Sequence, residues 1–142
     1  MTPNQITLVR KTWGKVAPIA DTAAQIFYEK LFEIDPGAKR LFAKTDMKRQ
    51  RGMLLDALGL VVQNAERPEC LTPVLEELAR RHVRYGVEDH HYTSVGIALI
   101  ATLEQELGSA FTDEARAAWM AAYALVSGTM QHAAGDAVGA AA

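Results

Sequence analysis

The sequence predicts an all-α protein, with six long or medium helices and at least one short one. Three observations carry this. Apolar residues recur at three- and four-residue steps through most of the chain, the spacing that gathers them on one helical face. Proline and glycine fall between those stretches, where helices start and stop. No stretch has a convincing strand pattern, and there is no internal repeat.

Thr2, Pro3 and Gln5 form a capped helix start, and Ile6, Val9, Trp13 and Val16 follow at helical spacing. Pro18 ends or restarts that helix. A second begins near Asp21 and carries Ala24, Phe27, Tyr28, Leu31 and Phe32 towards the interior. Asp35-Pro36-Gly37 breaks it, because the residue before a proline resists the helical conformation. A short helical turn then delivers Leu41 and Phe42, and Ala43 to Asp46 reads as a loop. The third long helix runs from about Met47 to Ala65, with Gln50, Leu54, Leu58, Val61 and Val62 in register, and Glu66-Arg67-Pro68-Glu69 closes it.

The next helix is the most informative. Thr72 and Pro73 are expected to start it and Gly86 to stop it in the left-handed conformation. Leu71, Leu75, Leu78 and His82 share one face. Glu76 and Glu77 precede Arg80 and Arg81 by four residues and make the opposite face a solvated, ion-paired one. His82 is thus on the apolar side, where it serves either as a core histidine bonded to a backbone carbonyl or as a lone-pair donor. A further helix runs from about Asp89 to Leu107, inward-facing at Val95, Leu99, Leu103 and Leu107, and Gly108 stops it. Thr112-Asp113-Glu114 caps and charges the last, which carries Ala115, Trp119, Tyr123, Val126 and Met130. From Ala133 to Ala142 there is nothing large to bury, so that tail is expected to fray.

A chain of 142 residues holds one domain with a real core. Its net charge of −2 gives no global argument for nucleic acid or an anionic membrane. No apolar run approaches the length of a membrane span, and the N-terminus lacks a basic patch followed by an apolar run, so the expected location is cytoplasmic. Cys70, the single cysteine, has no internal partner for a disulfide. His90 and His91 at a helix start, and His132 near the chain end, are expected to be solvated, and none suggests a second metal.

Several residues together resemble a known family. Phe42, six residues after Pro36, looks like the phenylalanine that globins stack on their haem. Gln50 and Leu54 look like the globin distal pair, and His82 looks like the proximal ligand. The string Arg80-Arg81-His82-Val83-Arg84-Tyr85-Gly86-Val87, then His91-Tyr92-Thr93-Ser94-Val95-Gly96, is similar to single-domain bacterial globins and the haem domains of flavohaemoglobins. Trp13 and Trp119 also match positions often occupied by tryptophan there. The resemblance implies a globin domain over residues 1–132 holding haem b, with His82 on the iron. It implies Phe42, Leu54, Leu78, Val87 and Val95 against the haem, and Arg81 as a propionate partner.

The same resemblance places the Tyr28 hydroxyl over the iron beside the Gln50 amide. Donors aimed at oxygen there favour it over carbon monoxide. A hydrogen bond to a charged group contributes roughly 1.5–3 kcal/mol, slowing release roughly ten- to hundredfold. On the other side, Tyr92 falls where flavohaemoglobin-like globins pair a tyrosine with a last-helix glutamate beside the ligating histidine. Here the matching position falls near Ala134, and no acid stands between Trp119 and Ala133, so a peroxidase-like push does not carry over.

The implied function is reversible O2 binding at a pentacoordinate iron, with NO and CO as further ligands. It extends to oxidation of nitric oxide to nitrate with an external reductase, since the chain has no room for a reductase domain of its own. A gas sensor or a globin-fold interaction module without redox turnover is the alternative. Lys39, Arg40, Lys44, Lys48, Arg49 and Arg51 cluster around the Phe42 corner, as a solvated face or as a dock for propionates or an acidic redox partner. The expected assembly is a monomer or weak homodimer.

Overall fold

Helix ends follow the chemistry of the residues that flank them. At the start of α1 (Pro3–Val16) the Thr2 hydroxyl accepts the Gln5 N–H at 3.1 Å, and the Gln5 side chain accepts the Thr2 N–H at 3.0 Å. This reciprocal pair satisfies two backbone donors that no helical carbonyl can reach. A 3₁₀ turn at Ala17–Ile19 takes up Pro18, and α2 (Ala20–Ile34) follows. Seven residues of 3₁₀ helix, Pro36–Phe42, then carry the chain to α3 (Met47–Gln63), whose first turn is capped by the Asp46 carboxylate. The remaining helices are α4 (Pro68–Tyr85), α5 (Asp89–Leu107) and α6 (Asp113–Ala141). The computed structural model describes residues 1–141. Among these there is no strand, and no helix is long and apolar enough to cross a membrane.

One expectation is corrected. Helix α4 begins at Pro68, not at Thr72: Pro68 takes the first helical position, and Pro73 lies inside the helix. The Thr72 hydroxyl donates back to the Pro68 carbonyl at 3.0 Å instead of capping. The helix tolerates Pro73 because Leu71 and Leu75, on either side of it, are both buried, while Pro73 itself is exposed. At the other end, α6 runs to Ala141. Ala133 and Met130 are buried in one cluster with Leu71, Leu75 and Ala79 of α4, and that contact extends the helix past its last large residue. Ala142 lies outside the described residues.

Packing divides the interior in two. One cluster joins α1, α2, α5 and α6 through Val9, Phe27, Leu31, Leu99, Leu103 and Trp119. Ala115, Ala118 and Ala122 let α6 lie close to its neighbours, and Trp119 Nε1 donates to Thr12 Oγ1 at 2.7 Å, so the buried indole keeps a partner. The second cluster holds α4 against α6 and the start of α5, through Leu71, Leu75, Tyr92 and Met130. Each large apolar side chain buried in this way contributes roughly 1.5–3 kcal/mol. The space between the clusters is not filled by side chains.

One glycine fixes how closely α5 meets α6. A Cβ at Gly96 would lie 2.7 Å from Tyr123 Cε2. That ring is tethered at its far end, since the Tyr123 hydroxyl donates to the Tyr92 carbonyl at 2.5 Å. We expect Gly96→Ala to destabilise the fold by about 1–3 kcal/mol, the usual range for overpacking, read as a lower urea midpoint with an unchanged slope.

Candidate functional site

Between the two clusters lies a cavity of about 210 Å³ with almost wholly apolar walls. Phe42 and Leu41 from the 3₁₀ segment, Leu54 from α3 and Leu78 from α4 form part of its lining. Leu60 and Val74 line it too and are also exposed, which marks its open edge. Two imidazoles stand among these walls, that of His91 and, on the inner face of α4, that of His82.

The geometry fixes the state of that ring. His82 Nδ1 lies 2.8 Å from the Leu78 carbonyl oxygen, which only accepts, so Nδ1 carries the proton. The lone pair is therefore on Nε2. Burial pushes the imidazole below its ordinary value of 6.5, with the Leu78 bond opposing that shift in part, so the ring is neutral at pH 7. Tyr92 lies beside it, with ring centroids 6.4 Å apart and planes 27° from parallel. The Tyr92 hydroxyl is buried and has no hydrogen-bond partner among the described residues. Burial, with Asp89 adding to it, raises its ionisation above the ordinary tyrosine value, so the phenol stays protonated.

Tyr28 and Gln50 meet, the Gln50 amide donating to the Tyr28 oxygen at 3.0 Å. This occupies one lone pair and leaves the phenol its own proton to give. Burial raises the Tyr28 ionisation, and the Gln50 bond only partly offsets that. The pair does not itself line the cavity. It sits behind Phe42, whose ring meets the Tyr28 ring edge-on at 5.5 Å, and one helical turn before Leu54.

The structure thus brings Phe42, Leu54, Leu78, His82, Val87, Tyr92 and Val95 to one cavity and sets Tyr28 and Gln50 at its end. Arg81 is not among them. One residue from His82 is a rotation of about 100° around the helix, and Arg81 is exposed with Nε 3.5 Å from Glu77. Wall residues not singled out beforehand include Leu41, Leu71, Trp119 and Met130. Their inward spacing was readable, but which inward residues face a void was not. His91 is a correction: expected to be solvated, it is buried, lines the cavity, and its Nδ1 accepts the Glu88 N–H at 2.8 Å.

An apolar slot with an open edge, a neutral imidazole and an orphaned hydroxyl suits a flat apolar cofactor ligated through one nitrogen. These residues fit a haem. The class is a helical haem protein, and comparison with known proteins agrees. The globin family model matches residues 25–130, and the chain belongs to the globin family. It is 34% identical to a flavohemoprotein of Rhizobium meliloti over 118 residues, 82% of this chain and 29% of that one. With flavohemoproteins of Xylella fastidiosa strain Temecula1 and of Vibrio cholerae the identities are 30% and 29%, over 91% and 87% of this chain. The chain spans about a third of the length of these curated relatives. It is a haem-binding globin.

A pH dependence follows from His82. Its value in the folded chain lies below the 6.5 of the unfolded one, so the unfolded state binds more protons on the way down. Its contribution to stability is complete above 6.5 and is lost as pH falls from there through the lowered value. We expect the urea midpoint of the apoprotein, followed by tryptophan fluorescence, to fall below that pH. His82→Leu should remove a part of the slope no larger than about 1.4 kcal/mol per pH unit.

Proposed function

We propose that this globin holds O2 at a pentacoordinate haem b iron and turns nitric oxide over to nitrate with an electron from a separate reductase. The observation that carries the reading is the pairing of Tyr28 with Gln50 at one end of the cavity whose wall holds His82. When bound, the haem supplies the open iron position and the redox chemistry of NO + O2 + e⁻ → NO3⁻. The protein supplies the rest. His82 Nε2 would hold the iron, and the Leu78 carbonyl fixes the tautomer and orientation of that ring while burial keeps it neutral. Phe42, Leu54, Leu78, Val87 and Val95 exclude water and hold the macrocycle apart from solvent. Gln50 points its amide at the Tyr28 oxygen, which turns the phenol proton outward as a donor for a ligand with anionic character. Val87, Val95 and Tyr92 wall the His82 side, and Tyr92 has no acidic partner there to draw charge onto the imidazole.

The electron donor is proposed to dock at the Phe42 corner. Lys39, Arg40, Lys44, Lys48 and Arg49 are all exposed there, with Asp46 the only acid in that stretch. Arg51 is engaged, its Nε 3.1 Å from Asp21. An acidic partner face would be steered to the Phe42 corner, whose ring lines the cavity, by such a patch. Nitric oxide and carbon monoxide compete for the same position as O2.

Two measurements test the reading. The purified protein loaded with haemin should show a Soret band that His82→Ala broadens or abolishes. A band unchanged in that variant removes His82 from the iron. In stopped flow, Tyr28→Phe should raise the O2 dissociation rate at least about tenfold, the lower end of what one charge-assisted hydrogen bond contributes. Nitrate formed from nitric oxide with a reductase present should fall in the same variant. An unchanged dissociation rate removes Tyr28 from the ligand's surroundings.

A further inference from the structure

A second group of ligating side chains lies where the end of α2 meets the start of α5. Asp35, which closes α2, accepts the Ser94 hydroxyl on Oδ2 at 2.9 Å, and its side chain is only 14% exposed. The same oxygen lies 3.5 Å from His90 Nε2, and the other nitrogen of that ring lies 3.5 Å from Glu88 Oε2. The rings of His90 and His91 are 4.0 Å apart, centre to centre. One carboxylate oxygen of Asp35 and one nitrogen from each histidine all fall within 4.8 Å of one another.

We propose that this corner is a divalent transition-metal site, of the kind zinc takes, with Asp35, His90 and His91 as ligands and solvent completing the shell. Two imidazoles and a carboxylate select zinc and its neighbours over calcium or magnesium. Tetrahedral bonds of about 2.1 Å set ligand atoms about 3.4 Å apart, close to the Asp35–His90 spacing already present. The supporting groups are also in place. Glu88 stands on the far nitrogen of His90, in the carboxylate–histidine–metal arrangement, and Ser94 fixes the Asp35 carboxylate.

His91 makes the adjustment. Its Nδ1 now accepts the Glu88 N–H, so its proton is on Nε2. A ring bound to metal through either nitrogen can no longer accept that N–H. Occupancy therefore releases the backbone amide of Glu88, an exposed residue, to solvent. The site lies next to the haem cavity, because His91 lines it, whereas Asp35 and His90 do not.

The test titrates zinc, in competition with a chromophoric chelator, into haem-loaded protein carrying Cys70→Ser to remove the exposed thiol. One zinc per chain is expected. Its affinity should fall roughly tenfold or more in His90→Ala and in Asp35→Asn, as loss of a ligand requires. His90 is exposed, so its variant should fold, and the Soret band recorded on each sample checks this. His132→Ala, which removes a surface histidine 3.6 Å from Asp136, should change nothing. An affinity that His90→Ala leaves unchanged overturns the assignment, and so does the absence of bound zinc.

Discussion

The hydrogen bond between His82 Nδ1 and the Leu78 carbonyl is the constraint on which the site depends. It sets the tautomer, leaves Nε2 as the free nitrogen and holds the ring four residues above its own acceptor along α4. A histidine packed in a core uses the same bond to satisfy itself, and at that level the two readings of His82 coincide. They separate at the other nitrogen. In a filled core Nε2 would meet another side chain, whereas here the two hydrophobic clusters leave a cavity around it. Burial then works in the ligand's favour, because a ring that resists protonation keeps its lone pair at neutral pH.

The two sides of the cavity are asymmetric. At one end Gln50 satisfies the Tyr28 oxygen and leaves a phenol proton to give. On the other, Tyr92 has its hydroxyl buried and unpartnered among the described residues, a cost of roughly 1–3 kcal/mol unless something else meets it. The last helix offers no acid there, so the imidazole is polarised by a backbone carbonyl and not by a carboxylate.

The start of α5 serves several ends at once. His91 caps the helix by accepting the Glu88 N–H, Tyr92 lies beside His82, and Ser94 ties the helix to Asp35 at the end of α2. Gly96, two residues on, admits the Tyr123 ring from α6, and that ring returns a hydrogen bond to the Tyr92 carbonyl. Six successive residues thus join α2, α4 and α6, so a change at the Asp35 corner has a short route to the wall of the cavity.

The sequence by itself determined the helices and most of the cavity's chemistry. Period and punctuation place the apolar faces, because a helix that must bury one stripe repeats it every three or four residues. The same logic put His82 on the inner side of α4 and Phe42 after the proline break. It misplaced the start of α4, since Thr72-Pro73 is a sound local cap and only the burial of Leu71 beneath it continues the helix back to Pro68. Tertiary structure alone decided which inward side chains face a void. It also brought Asp35 to His90 and His91. Side chains 55 positions apart in sequence share no period, and only the packing of α2 on α5 makes them neighbours.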